Sequence, residues 1–510
     1  MNYRKKFFLI TCAFILLWAG ITRVYKLDEQ SWWMDEGYSV NAALSTIEKG
    51  YPLLPSGLAY NQHIVYTYFL AGSIKIFGLS EWSTRAPSVL ASMLTLPIIF
   101  FFTKKMIGPR VAYLATLLAS FSYWEIAWAR QARFYALFQL TFWAALFFFW
   151  NAVTSRKKID FLWAGFFSCL TFFLHPLGIF LIPIYVATII VTLLNMQGVS
   201  LRMWWRKNWP SIATISLLLA VTGIFFYRPI YETFREVSVH RLFYLPKYLS
   251  FFRNGTPGVA LLAVLSLLFP FAHDKRQSPS LNPVLYLWTI FLIPFTGLSF
   301  FVFLLQYRYV FIILPALFIL SAFSLISIYD WLANRHHPVY RLVYIGVVLV
   351  YFLVSPEFQV TPTPQYALES DRPNTKGFIS YTPQPNWQGA YDYILKNKRQ
   401  DDILISAQPV FTYIYTGEPG QWIFYTLTKK PERGRPPKPD ERDPYVGAKT
   451  IVTKENLMQT ILNKHGFVVL DSFARDGRIP TDILTYIEKK LVLRYTNTFN
   501  RWSTIWVYEF

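Results

Sequence analysis

Two adjacent acids, Asp35 and Glu36, stand in the run Ser31-Trp32-Trp33-Met34-Asp35-Glu36-Gly37-Tyr38, just after the first apolar stretch of a 510-residue chain. Tryptophan rings settle where water meets lipid, so the pair is expected at that boundary. A carboxylate there can take a proton from a hydroxyl beside a lipid-borne substrate. Further along, Arg130 and Arg133 bound a short turn, and Arg308 lies in Gln306-Tyr307-Arg308-Tyr309. His63, Arg85, Glu125 and His175 each fall at or near the end of an apolar stretch. Guanidiniums grip carboxylate or phosphate through two parallel N–H donors, which an ammonium cannot do. Acids and arginines converging on one membrane face can hold an anionic leaving group beside a base. Each also has a purely structural use: the acids as a helix N-cap, the arginines as headgroup anchors, His175 before Pro176 as a helix-turn residue.

The elements that position these residues are apolar. Aliphatic and aromatic residues make up 54% of the chain and aromatics 19%, well above soluble norms. Charge-poor stretches lie near 7–25, 62–79, 86–103, 111–128, 134–153, 161–175, 177–194, 210–227, 258–272, 283–303, 309–329 and 341–355. A net charge of +20 raises nucleic-acid binding, but the positives form no single patch, and that partner is excluded. They sit in clusters between apolar stretches: Arg4-Lys5-Lys6; Lys104, Lys105 and Arg110; Arg156-Lys157-Lys158; Arg202, Arg206 and Lys207; Lys275-Arg276; Arg335 and Arg341. All six fall on the cytoplasmic side only if 62–79 lies along the membrane surface or re-enters instead of crossing, and its Lys75 suits an interfacial helix. The fold expected is a mostly α, polytopic protein of about eleven transmembrane helices in the cell membrane, with N-terminus cytoplasmic and C-terminus outside. The outer loop 228–257, with five basic residues, is the exception to this count.

That topology sends the first loop (26–85), the 129–133 turn, His175 and Arg308 to the outer face. After Ser355 the chain turns polar. Residues 356–386, with Thr361-Pro362-Thr363-Pro364, read as linker, and 387–510 alternate helical and extended signals, as in a small extracytoplasmic α/β domain. Its expected elements are helices at Tyr391–Lys398, Leu457–Lys464 and Asp482–Lys490. The expected strands are Asp402–Ala407, Phe467–Leu470 and Trp506–Tyr508, with Val410–Tyr415 either helical or extended. Pro431, Pro436-Pro437 and Pro439 mark a loop within 429–444. Cys12 and Cys169 both lie in apolar stretches and make no disulfide framework.

Four features in order carry a resemblance. They are the Asp35-Glu36 loop, Phe77-Gly78-Leu79-Ser80-Glu81-Trp82-Ser83-Thr84-Arg85, the turn Ala129-Arg130-Gln131-Ala132-Arg133-Phe134-Tyr135, and Arg308-Tyr309 ahead of Pro315. Together they resemble the GT-C glycosyltransferases over most of 1–330, and hydropathy extends the likeness to a membrane domain of 1–355. The nearest branch is the protein O-mannosyltransferase and aminoarabinose-transferase-like group. The resemblance implies transfer of a sugar from a polyprenyl-phosphate donor to an extracytoplasmic protein, lipid or glycan, with inversion at the anomeric carbon. It makes Asp35 the base, with Glu36 supporting or orienting it. Arg130, Arg133 and Arg308 are then the donor-phosphate residues, and His63, Glu125, His175 and Arg85 line a polar cavity or acceptor site. Related chains often carry prolines after His63, where this one has Ile64-Val65-Tyr66. No spacing here defines a metal site; the resemblance leaves a divalent cation open and implies no other cofactor. Two rival classes are a flippase for lipid-linked glycans, which calls for repeated halves or broken-helix pairs, and a non-catalytic scaffold.

Overall fold

The computed structural model describes residues 3–61, 63–155, 157–194, 209, 243–269, 282–302, 305–335, 338–362, 384–423, 441–475, 479–498 and 503–510. The expected span 210–227, the linker beyond 362 and the proline-rich stretch up to 440 lie outside them. The chain is mostly helical. Nine helices come first: α1 (Tyr3–Val24), α2 (Met34–Lys49), α3 (Ile64–Phe77), α4 (Glu81–Met106), α5 (Pro109–Phe121), α6 (Tyr123–Ala129), α7 (Tyr135–Ser155), α8 (Lys158–Leu174) and α9 (Leu181–Leu194). Then follow α10 (Leu245–Gly255), α11 (Pro257–Leu265), α12 (Pro283–Phe300), α13 (Leu314–Arg335) and α14 (Pro338–Val354).

Among the described residues, four helical segments are long and apolar enough to cross a membrane: 81–106, 135–154, 283–300 and 307–334. A fifth candidate is the pair α10–α11, bent by 102° at Thr256. Shorter apolar helices, α3 and α14 among them, fall below that length. Broken helices explain part of the distance from the expected eleven. The 111–128 stretch, for example, is α5 and α6 divided at Ser122.

Local sequence sets the helix ends near the site. The Glu36 carboxylate accepts from the Trp33 amide at 3.1 Å, capping the first turn of α2, and Gly50 ends that helix at φ 76°. Ser80 accepts from the Ser83 amide at the start of α4, 3.1 Å away. α7 lies between α4 and α8, and α13 between α5 and α11, around one aromatic core. Phe102, Phe134, Trp143 and Tyr286 are among its buried rings.

The C-terminal part is a six-stranded sheet in the order β3-β2-β1-β4-β6-β5. Its strands are β1 (Ile403–Ser406), β2 (Gln421–Ile423), β3 (Lys449–Ile451), β4 (Gly466–Asp471), β5 (Val492–Thr498) and β6 (Thr504–Glu509). The first four run parallel and the last two pair antiparallel, with helices α15 (Trp387–Asn397), α16 (Pro409–Thr416), α17 (Lys454–Ile461), α18 (Ser472–Arg475) and α19 (Thr481–Lys490) between them. The expected strands at 402–407, 467–470 and 506–508 coincide with β1, β4 and β6, and 410–415 is helical. β2, β3 and β5 had no expected counterpart. This sheet does not stand apart: Trp32 and Val40 join Trp387, Tyr391, Val410 and Phe411 in a single buried cluster.

Candidate active site

The first turn of α2 presents its two acids in different ways. Glu36 is fully buried. Arg85 grips it with both arms of its fork, Nε on one oxygen and Nη2 on the other, each at 2.9 Å. Glu36 also accepts from the Ala132 amide at 2.6 Å. Arg85 spends its remaining donors on the carbonyls of Leu27, Gln30 and Ser31. Glu36 thus ties α2 to α4 and to the 130–134 turn, and the structure gives it an orienting place, with no lone pair turned to solvent chemistry. Arg85 belongs to that clamp and not to an open polar cavity.

Asp35, one residue earlier, is a quarter exposed. Its Oδ2 lies 3.1 Å from Arg308 Nη1 and 3.6 Å from Arg133 Nη2. The turn between α6 and α7 supplies Arg133, and the 3-10 segment ahead of α13, Tyr307–Ile313, supplies Arg308. Arg133 donates further to the Asp35 carbonyl and to Ser39 Oγ, both at 2.9 Å, and to Tyr60 Oη at 3.4 Å. Burial alone would lower the Arg133 guanidinium; Tyr60 and Asp35 outweigh it and raise it. Arg308 lies over the rings of Trp33 and Tyr135, 5.8 and 5.7 Å from their centroids. Among the described residues, one carboxylate therefore faces two guanidiniums.

Neighbouring aromatic side chains wall this cluster. His63 stacks on Phe134 at 3.5 Å between centroids, and Phe134 stacks on His175 at 5.1 Å. His63 Nδ1 donates to the Leu174 carbonyl, while His175 Nδ1 accepts from the Leu177 amide at 3.1 Å. Burial first, then His175 and Arg133, hold the His63 imidazole well below its usual range, so it adds no positive charge. No group of three or more His, Cys, Asp or Glu side chains among the described residues could hold a metal ion.

Arg130 departs from the phosphate role. Its guanidinium donates to the carbonyls of Arg23, Tyr25 and Lys26, closing the C-terminal end of α1. The peptide dipoles there take up the donors a phosphate would need. Glu125 lies in α6, accepting from Gln139 Nε2 at 2.9 Å; no contact joins it to Asp35 among the described residues. Of the nine residues singled out from sequence, the structure brings together Asp35, Arg133, Arg308, His63 and His175. It sets Glu36 and Arg85 behind them as a clamp. Tyr60, Ser39, Trp33 and Tyr135 complete the surroundings. Trp33 and Tyr135 carried one sequence signal, an aromatic two residues from a charge; Ser39 and Tyr60 carried none.

Residues 61–227 match a family model described as dolichyl-phosphate-mannose-protein mannosyltransferase. The matched segment holds Arg85, Arg130, Arg133 and His175 and stops short of Asp35 and Arg308. Among solved structures, ArnT from Cupriavidus metallidurans bound to undecaprenyl phosphate aligns over 99% of this chain and 98% of its own, at 14% identity and TM-score 0.56. The chain has the fold of this ArnT structure. The same ArnT in the apo state aligns over 100% of this chain at 12% identity and TM-score 0.55. The archaeal oligosaccharyltransferase AglB from Archaeoglobus fulgidus, in complex with an inhibitory peptide and a dolichol-phosphate, aligns over 99% of this chain and 74% of its own, at 13% identity and TM-score 0.53. At these identities the likeness is one of fold. No curated protein matches by sequence.

Proposed function

We propose that this protein is an inverting glycosyltransferase that moves a sugar from a polyprenyl-phosphate donor to an acceptor on the extracytoplasmic side. One observation carries the reading: Asp35, partly open at the mouth of the helix bundle, lies within ion-pair reach of both Arg133 and Arg308. The solved structure of ArnT bound to undecaprenyl phosphate supports the donor class. In this reading the chain contributes three things. Asp35 accepts the proton of the acceptor hydroxyl as its oxygen attacks the anomeric carbon. The bond from that carbon to the phosphate oxygen breaks, and the Arg133 and Arg308 guanidiniums take up the charge of the departing prenyl phosphate. The aromatic wall of Trp33, Phe134 and Tyr135 keeps water from competing with the acceptor.

The membrane domain is 1–355, with its N-terminus cytoplasmic, about eleven crossings, and 62–79 along the surface. The sheet domain 387–510 then lies outside, on the side of Asp35, which agrees with its contacts to α2. The acceptor is a protein, lipid or glycan of the cell envelope. The test is reconstitution in liposomes with polyprenyl-phosphate sugars and envelope extract, followed by mass analysis of both products. Release of prenyl phosphate together with a sugar-bearing acceptor is expected. Movement of intact donor across the bilayer without bond cleavage would establish the flippase instead.

A further inference from the structure

The proposed reaction assigns no part to the sheet domain, yet this domain is seated on the turn that carries the base. Helix α16 packs against α2. A methyl placed on Gly37 would meet Val410 Cγ2 at 3.0 Å and Phe411 Cε1 at 3.2 Å, so α16 lies as near as a glycine permits. Asn41 Nδ2 donates to the Val410 carbonyl at 3.3 Å. From the same helix, Tyr415 Oη donates to Glu81 Oε1 at 3.1 Å, and its ring packs on Trp32 at 5.6 Å. Trp32 in turn donates to Thr84 Oγ1 at 2.8 Å. Glu81 and Thr84 lead by one turn and one residue to Arg85, whose fork holds Glu36, and Glu36 is the neighbour of Asp35.

We infer that Tyr415 is a positioning residue for Asp35, acting through Glu81, Arg85 and Glu36, so that the sheet domain sets the geometry of the base. The inference rests on the glycosyltransferase reading for its effect on rate, and on the contacts alone for its effect on α2. All the contacts named bear on the first two turns of α2 or on the start of α4. A hydroxyl that fixes the start of α4 fixes the clamp on Glu36, and Asp35 moves with the backbone of that turn. Displacing a reacting group by about 1 Å can cost two orders of magnitude in rate, so small losses of register are visible in turnover.

The experiment uses the full-length protein in lipid nanodiscs with Tyr415→Phe, which deletes one hydroxyl and keeps the ring. Turnover should fall about three- to tenfold, the worth of one hydrogen bond, with donor and acceptor KM held within about twofold and the melting temperature unchanged. A second arm is Glu81→Gln, alone and combined with Tyr415→Phe; the double variant should lose no more than the worse single, as members of one relay do. Hydrogen exchange of the amides at 34–38 should quicken in Tyr415→Phe, a readout that needs no substrate. Unchanged turnover and exchange would overturn the inference, as would strict additivity or a rate loss matched by lost melting temperature. If the wild-type protein transfers no sugar while exchange at 34–38 still responds, the positioning of α2 stands and the reaction assigned to it fails.

Discussion

Two charged clusters sit on opposite parts of this molecule, and their difference separates a site from a brace. In the sheet domain, His465 bridges two acids, Nδ1 to Asp402 at 2.6 Å and Nε2 to Glu509 at 2.7 Å, and Arg494 pairs with the other oxygen of Glu509. Asp402 also accepts from the Arg399 amide at 2.8 Å. Each carboxylate there has a local partner, the charges balance, and the group ties the approaches to β1 and β4 to β6 and the edge strand β5. Around α2 the arrangement differs: among the described residues one carboxylate, Asp35, is shared by Arg133 and Arg308. Two guanidiniums converging on one carboxylate beside bulky aromatic walls present the forked donors that pair with a phosphate, whereas the brace presents one arginine already paired with Glu509. The clamp Glu36–Arg85, one residue from Asp35, is balanced like the brace but buried. Charge stoichiometry, more than residue type, tells the three apart.

The sharpest way to break this comparison is at the clamp. Arg85→Leu would leave Glu36 buried and uncompensated, a loss of about 3–5 kcal/mol, seen as collapse of folded yield and thermal stability. Adding Glu36→Leu should restore much of that stability. If Arg85→Leu folds normally and only slows transfer, Glu36 is chemistry and not a clamp. At the open cluster, Asp35→Asn should cut turnover by about a thousandfold while melting temperature and lipid-phosphate binding survive. Full activity in that variant would remove Asp35 as base. Arg308→Gln should slow transfer by about ten- to a hundredfold with a smaller change in stability, since its charge is directed at the Asp35 carboxylate. Arg133→Gln, by contrast, should lose both, because its donors also hold Ser39, the Asp35 carbonyl and Tyr60. Equal behaviour of the two arginines in stability and rate would erase the distinction.

The sequence singled out charges at the ends of apolar stretches, and three of them, Asp35, Arg133 and Arg308, meet in the structure. The sequence could not show how those charges divide the work. Arg85, Arg130, Arg133 and Arg308 are one residue type near helix ends. What separates them is a partner far along the chain: Glu36 for Arg85, the end of α1 for Arg130, Asp35 for the other two. In the sheet domain, β1 and β4 read as strands because each is largely buried and carries an apolar run, Ile403–Ile405 and Phe467–Leu470. β2 and β3 are three residues each, too short for any period to register, and β5 is an exposed edge strand with polar alternation. The seat of α16 on α2, with Asn41 bonded to a residue 369 positions away, left no local trace beyond a glycine at 37.

The mildest test asks whether the brace is only a brace. Hydrogen bonding to Asp402 first, then to Glu509, holds the His465 imidazole above its ordinary value of 6.5. Bonding to His465 first, then to Arg494, holds Glu509 below 4.5. A raised histidine contributes stability in full below 6.5 and loses it as pH climbs through the folded value. A lowered carboxylate contributes above 4.5 and loses it as pH falls through its own folded value. The pair is therefore worth most between about pH 4.5 and 6.5. His465→Gln should lower the melting temperature of the sheet domain by about a degree or two in that window, with the gap from wild type closing as pH rises above it. Sugar transfer should not change with this substitution at any pH in the range, because no contact described joins His465 to α2. A gap that persisted into alkaline solution would mean that the imidazole acts by packing alone, and a fall in transfer would mean that the balanced cluster reaches the open one after all.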